Sequence, residues 1–113
     1  MGDRAILDPR AGGQFTLFFG DTMVEGRYVL VDPPRRLVIT WGRGGSADFP
    51  PGTSTLEVKL TPEDHGTRVQ IVHSGLPSRE ASPHAEGWRY YLGRLQKVAA
   101  GLDPGPQVIP AGP

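Results

Sequence analysis

From residue 14 to residue 74, apolar side chains return at every second position in short runs separated by glycine, proline and aspartate. That period belongs to β-strands. Over 14–19, Phe15, Leu17 and Phe19 share a face with Thr16 opposite, while Phe18 breaks the alternation and implies that both faces are partly covered. After a turn at Gly20-Asp21, Tyr28 and Leu30 alternate with Val29 and Val31, which predicts a strand over 23–31 buried on both sides. Pro33-Pro34 closes it, because proline has no N–H to give to a ladder. Leu37, Ile39 and Trp41 share a face over 36–41, and 42–52 has no period and reads as a surface loop. Over 53–60, Leu56, Val58 and Leu60 point inward and Thr55, Glu57 and Lys59 outward. A turn over 62–66 returns the chain into 67–74, where Val69, Ile71 and His73 share a face.

After His73-Ser74-Gly75-Leu76, a glycine turn, the period changes. Ala85, Trp88, Tyr91, Leu92, Leu95, Val98 and Ala99 form one helical stripe, with Arg89, Arg94, Gln96 and Lys97 on the other side. Ser82 is the expected N-cap with Pro83 in the first helical position, since a cap oxygen satisfies an orphan N–H and proline has none. Gly101 is the expected stop. These elements predict an α+β domain over 1–102, an antiparallel sheet of five to six strands with one long C-terminal helix. A flexible tail rich in proline and glycine is expected over 103–113.

At 113 residues the chain is long enough for one domain with a core of its own. Its twelve basic and twelve acidic residues cancel, and no basic run exceeds Arg35-Arg36, so no nucleic-acid partner is expected. The absence of cysteine excludes disulfides, thiolate metal sites and cysteine nucleophiles, and fits an intracellular protein. Apolar runs are too short for a signal peptide or a membrane span, which places the expected protein in the cytoplasm, away from membranes.

Candidate chemistry is sparse. His65 stands in a turn with Glu63 and Asp64, and His84 lies near Glu86, but neither has the spacing of a zinc motif. Neither metal nor cofactor is expected. Ser74 and Ser82 lie near His73 and His84 without a Gly-x-Ser-x-Gly elbow. Gly42-Arg43-Gly44-Gly45 lacks the lysine and following helix of a phosphate loop. His73 shares its face with Val69 and Ile71 and has no carboxylate beside it there, so a hydrogen-bonded core histidine is the simpler reading.

Four groups of residues, in this order and spacing, carry a resemblance. They are Asp8-Pro9-Arg10-Ala11-Gly12-Gly13-Gln14-Phe15; Gly26-Arg27-Tyr28 through Asp32-Pro33-Pro34-Arg35-Arg36-Leu37 to Thr40-Trp41; 55–60 with Gly66-Thr67; and His73-Ser74-Gly75-Leu76 with Gly87-Trp88 and Leu92. Over residues 8–100 the chain resembles the activator of Hsp90 ATPase homologue family, within the START-like or SRPBCC superfamily of helix-grip folds. The resemblance implies a curved sheet around the helix with a cavity between them. It also implies a further strand and two short helices ahead of the Gly-Gly-Phe strand. Only about ten residues precede Gly12, so those elements are expected to be missing and one sheet edge bare. A bare edge invites pairing, hence an expected homodimer.

On this reading Phe19, Tyr28, Trp41, His73, Trp88, Tyr91, Leu92 and Leu95 surround a ligand, although aromatic residues at such spacing more often fill a core. The favoured function is non-enzymatic binding of an apolar or amphipathic small molecule. Chaperone contact, implied by the family, is the alternative, and a cyclase or hydrolase activity is the third.

Overall fold

The computed structural model describes residues 4–105, which fall into two compact units, one over residues 4–76 and one over residues 77–105. The first is a single antiparallel meander. Its strands are β1 (Arg4–Leu7), β2 (Gln14–Phe19), β3 (Thr22–Asp32), β4 (Arg36–Arg43), β5 (Ser54–Glu63) and β6 (Gly66–Ser74), adjacent in space in the order they occur in sequence. The second unit carries one helix, α1 (Ser78–Ala99). The α+β class with five to six antiparallel strands and one C-terminal helix is as predicted, and the periodicity accounts for the strands from β2 to β6.

Pairing fixes which side chains share a face. Phe15 lies opposite Gly26, Tyr28 opposite Ile39, Ile39 opposite Leu56, and Leu56 opposite His73. This aromatic face also carries Leu17, Val24 and Trp41, all buried. The other face carries Gln14, Thr16, Glu25, Arg27 and Thr40.

Several expectations need correction. The alternation of Tyr28 and Leu30 against Val29 and Val31 fails, because Tyr28 pairs with Ile39 while Leu30 pairs with Val38. Two residues of β3 thus span one step of β4. This β-bulge puts Tyr28 and Val31 on the same face and leaves Val29 exposed. The β2 edge expected to be bare is paired with β1, whose Ala5 lies opposite Leu17 and Ile6 opposite Thr16. Four residues are too few to display a period, which is why the sequence hides this strand.

The helix begins at Ser78 rather than at Pro83. Pro77 holds the cap position with φ −54° and ψ 144°, its carbonyl accepts the Glu80 N–H at 2.8 Å, and Glu80 places a negative charge in the first turn where the helix dipole favours it. Pro83 lies inside α1, past its first turn, and has no N–H to give to the helix. The helix ends at Ala99 with Ala100 as C-cap, and Gly101, at φ 79°, is the stop expected. Of the tail expected over 103–113, residues 106–113 lie outside the described residues.

The segment between β4 and β5 is also more structured than its composition suggests. Phe49 is 1 % exposed, its carbonyl accepts the Arg43 N–H at 2.7 Å, and its own N–H donates to Ser46 Oγ at 3.0 Å. The Arg43 guanidinium lies 5.3 Å from the Phe49 ring centroid. Gly42 lets this loop fold back, since a methyl group there would collide with the Pro50 carbonyl oxygen.

Candidate functional site

The aromatic face of the sheet holds the strongest constellation. Phe15 meets Tyr28 edge-on with centroids 5.7 Å apart and tilts against Trp41 at 5.5 Å. Trp41 in turn meets the His73 ring edge-on at 5.5 Å. Phe15 thus links Tyr28 to Trp41, and Trp41 links on to His73. Phe19 is buried at the end of β2.

One polar pair is set into this apolar surface. Ser54, 1 % exposed, donates from Oγ to the Trp41 carbonyl oxygen at 2.8 Å, and its Oγ lies 2.8 Å from His73 Nε2. A hydroxyl has a single proton. With that proton on the Trp41 carbonyl, the His73 bond requires the proton on Nε2. His73 is therefore a donor to Ser54 and does not act as its base, so the pair orients groups without activating a nucleophile. Ser54 escaped sequence reading, although it continues the inward set of Leu56, Val58 and Leu60 by one step.

The same face continues away from Trp41 as a shallow apolar hollow of about 230 Å³. It is lined by Val31, Leu37, Val58 and Leu60 with Pro33 and Pro34, and bordered by Asp32 and Arg36. Its valines and leucines are half-buried, in contrast to the closed packing around Trp41. Arg36 is held by an ion pair with Glu57 across the β4–β5 pairing.

Tyr28 is clasped by the segment ahead of β2, its N–H donating to the Gly13 carbonyl at 3.0 Å and its carbonyl accepting the Gly12 N–H at 2.7 Å. Burial, and secondarily the charge of Asp8, push the Tyr28 phenol pKa above its ordinary 10.0. Asp8 itself pairs with Arg10 at 2.8 Å, and that contact raises the guanidinium pKa.

On α1, taken by itself, Tyr91 is buried and Trp88 and Leu92 are half-buried. Leu95 is 50 % and Val98 57 % exposed, so the predicted buried stripe ends at Leu92. Its other buried positions, Gly87 and His84, sit one and two turns before Tyr91. His84 Nδ1 lies 2.8 Å from the Glu80 carbonyl oxygen, and its ring 3.8 Å from the Glu80 carboxylate. Among the described residues no three histidine, aspartate or glutamate side chains gather to hold a metal, and no helix is long and apolar enough to cross a membrane.

A sequential six-stranded antiparallel sheet with an apolar aromatic face, followed by one long helix, defines an α+β protein of the START-like, helix-grip class. The chain belongs to the family described as Activator of Hsp90 ATPase homolog 1-like protein, whose model matches residues 1–100. Among solved structures, an AHSA1-like protein of Rhizobium etli is 40 % identical with a TM-score of 0.68, over 94 % of this chain and 68 % of that one. CalU16 of Micromonospora echinospora is 30 % identical with a TM-score of 0.65, over 82 % of this chain. The match spans about half of CalU16, 54 % of its chain. No functionally curated protein matches the sequence.

Proposed function

We propose that the protein is a non-enzymatic, cytoplasmic binder of a small apolar or amphipathic molecule, seated on the aromatic face of the sheet. The apolar hollow beside the Phe15, Tyr28 and Trp41 cluster carries this reading. Its lining of Val31, Leu37, Val58 and Leu60 suits an alkyl chain or a single ring. Trp88, Tyr91, Leu92 and Leu95 remain candidate ligand residues on α1. The orientation of the Ser54 and His73 pair weighs against the hydrolase reading, because the histidine already gives its proton to the serine. Chaperone contact is the runner-up and rests on the family description.

A series of straight-chain carboxylates followed by intrinsic tryptophan fluorescence tests the proposal. Each added methylene that enters the hollow contributes about 0.8 kcal/mol, so affinity should rise about fourfold per carbon until the hollow is full. Val58→Asp should abolish the series while leaving the far-ultraviolet circular dichroism unchanged. A fluorescence response independent of chain length, or none at all with a folded protein, sinks the reading.

A further inference from the structure

The opposite face of the sheet holds a second, chemically different recess. It encloses about 410 Å³ and is lined by Gln14, Thr16, Glu25, Arg27 and Thr40 along the strands, with Pro51 and Gly52 as its wall. Pairing builds it: Thr16 lies opposite Glu25 and Gln14 opposite Arg27, so an acid and a base stand two residues apart on one strand with a hydroxyl and an amide facing them. Gly26, between them, forms the floor. A methyl group there would collide with the Thr40 carbonyl oxygen, so only glycine lets β4 approach this closely.

The hydrogen-bond inventory leaves this recess rich in capacity. Thr40 Oγ1 accepts the Arg27 backbone N–H at 2.8 Å, which leaves the Thr40 hydroxyl proton to donate elsewhere. Gln14 Nε2 donates to Thr16 Oγ1 at 3.1 Å, which leaves the Gln14 carbonyl oxygen as an acceptor and the Thr16 hydroxyl as a donor. The Arg27 guanidinium gives one of its five N–H groups to the Gly12 carbonyl at 3.3 Å. The half-buried Glu25 carboxylate makes no hydrogen bond or ion pair with any described residue.

We infer that this recess binds a small zwitterion of the amino-acid or dipeptide class. Arg27 and the Thr40 hydroxyl beside it take its carboxylate, and Glu25 takes its ammonium. A plain anion would meet Glu25 at close range and a plain cation would meet Arg27, so a ligand with both charges is the one that satisfies the recess. This site shares no residue with the apolar hollow, and the two proposals stand or fall separately.

Backbone amide shifts of the ¹⁵N-labelled protein test it, with glycylglycine as probe and N-acetylglycine, glycinamide and inorganic phosphate as comparison compounds. Glycylglycine should produce saturable shifts at Gly26, Arg27, Thr40 and Gly52, and each single-charge compound should bind at least tenfold more weakly. Arg27→Gln and Glu25→Gln should each weaken glycylglycine about tenfold or more, with unchanged amide spectra outside the recess. Phosphate or N-acetylglycine binding as tightly as glycylglycine overturns the inference in favour of a simple anion site. No saturable shift with glycylglycine at millimolar concentration overturns it outright.

Discussion

The Ser54 hydroxyl and the His73 imidazole lie 2.8 Å apart across the β5–β6 pair, and the hydroxyl proton belongs to the Trp41 carbonyl. Ser54 therefore ties three strands together at one buried atom. Ser54→Ala strips a donor from the Trp41 carbonyl and an acceptor from His73 Nε2, which should cost about 1–3 kcal/mol. For a chain of this size that is roughly 4–8 °C of Tm per kcal/mol. Histidine ¹⁵N shifts should report the Nε2-protonated tautomer for neutral His73. An Nδ1-protonated tautomer would show that the hydroxyl proton points to the histidine instead, and would revive a nucleophilic role for Ser54.

Phe49 anchors the segment between β4 and β5, and its burial depends on the close approach that Gly42 permits. Phe49→Ala should lower stability by about 3–5 kcal/mol through the lost ring and the cavity it leaves. Gly42→Ala should cost about 3 kcal/mol, because backbone rather than a flexible side chain stands in the way. Gly66→Ala is the control: its added methyl meets nothing within 4 Å, and the change should stay within about 0.5 kcal/mol. Urea midpoints for the three variants decide the matter. Equal midpoints for Gly42→Ala and Gly66→Ala would contradict the packing described.

These positions also mark where sequence patterning succeeds and where it runs out. Strand β5 was legible because Thr55, Glu57 and Lys59 alternate with Leu56 and Val58 on its two faces. The bulge at Val29 was not, because a register shift is decided by the partner strand and leaves no mark in β3 alone. Phe49 was hidden in a loop without period, and β1 in four residues too short to have one. Ser82-Pro83 imitates a helix start, yet α1 has already begun at Ser78 and carries Pro83 inside it. Of the candidate site, the face of Trp41 and that of His73 could be read from alternation, while Ser54 could be linked to His73 only through the β5–β6 pairing.

Gly93 lies in the middle of α1, and a methyl group built on it meets nothing within 4 Å. Glycine in a helix interior is disfavoured by its backbone entropy in the unfolded chain. Gly93→Ala should raise stability by about 1 kcal/mol. Thermal denaturation followed by circular dichroism at the helical band checks this. A lower Tm would mean that something the described residues do not include needs the space beside Gly93.

Tyr28 gives the protein a stability limit on the alkaline side. Its phenol titrates above 10.0 in the folded protein because burial opposes the phenolate, with Asp8 adding repulsion. In the unfolded chain the same phenol loses its proton near pH 10, so above that pH the folded state holds more protons than the unfolded one. The contribution is fully present below about pH 10 and is lost as pH rises through the folded value. Tyr28→Phe removes the titration, and its stability should decline less steeply than that of the parent from about pH 10 upward. Asp8→Asn should lower the Tyr28 pKa without restoring it to 10.0, since burial is the larger cause. Urea denaturation across this pH range, with phenolate absorbance recorded in parallel, measures both effects. Parallel alkaline limbs for the parent and Tyr28→Phe would place the limit at another group.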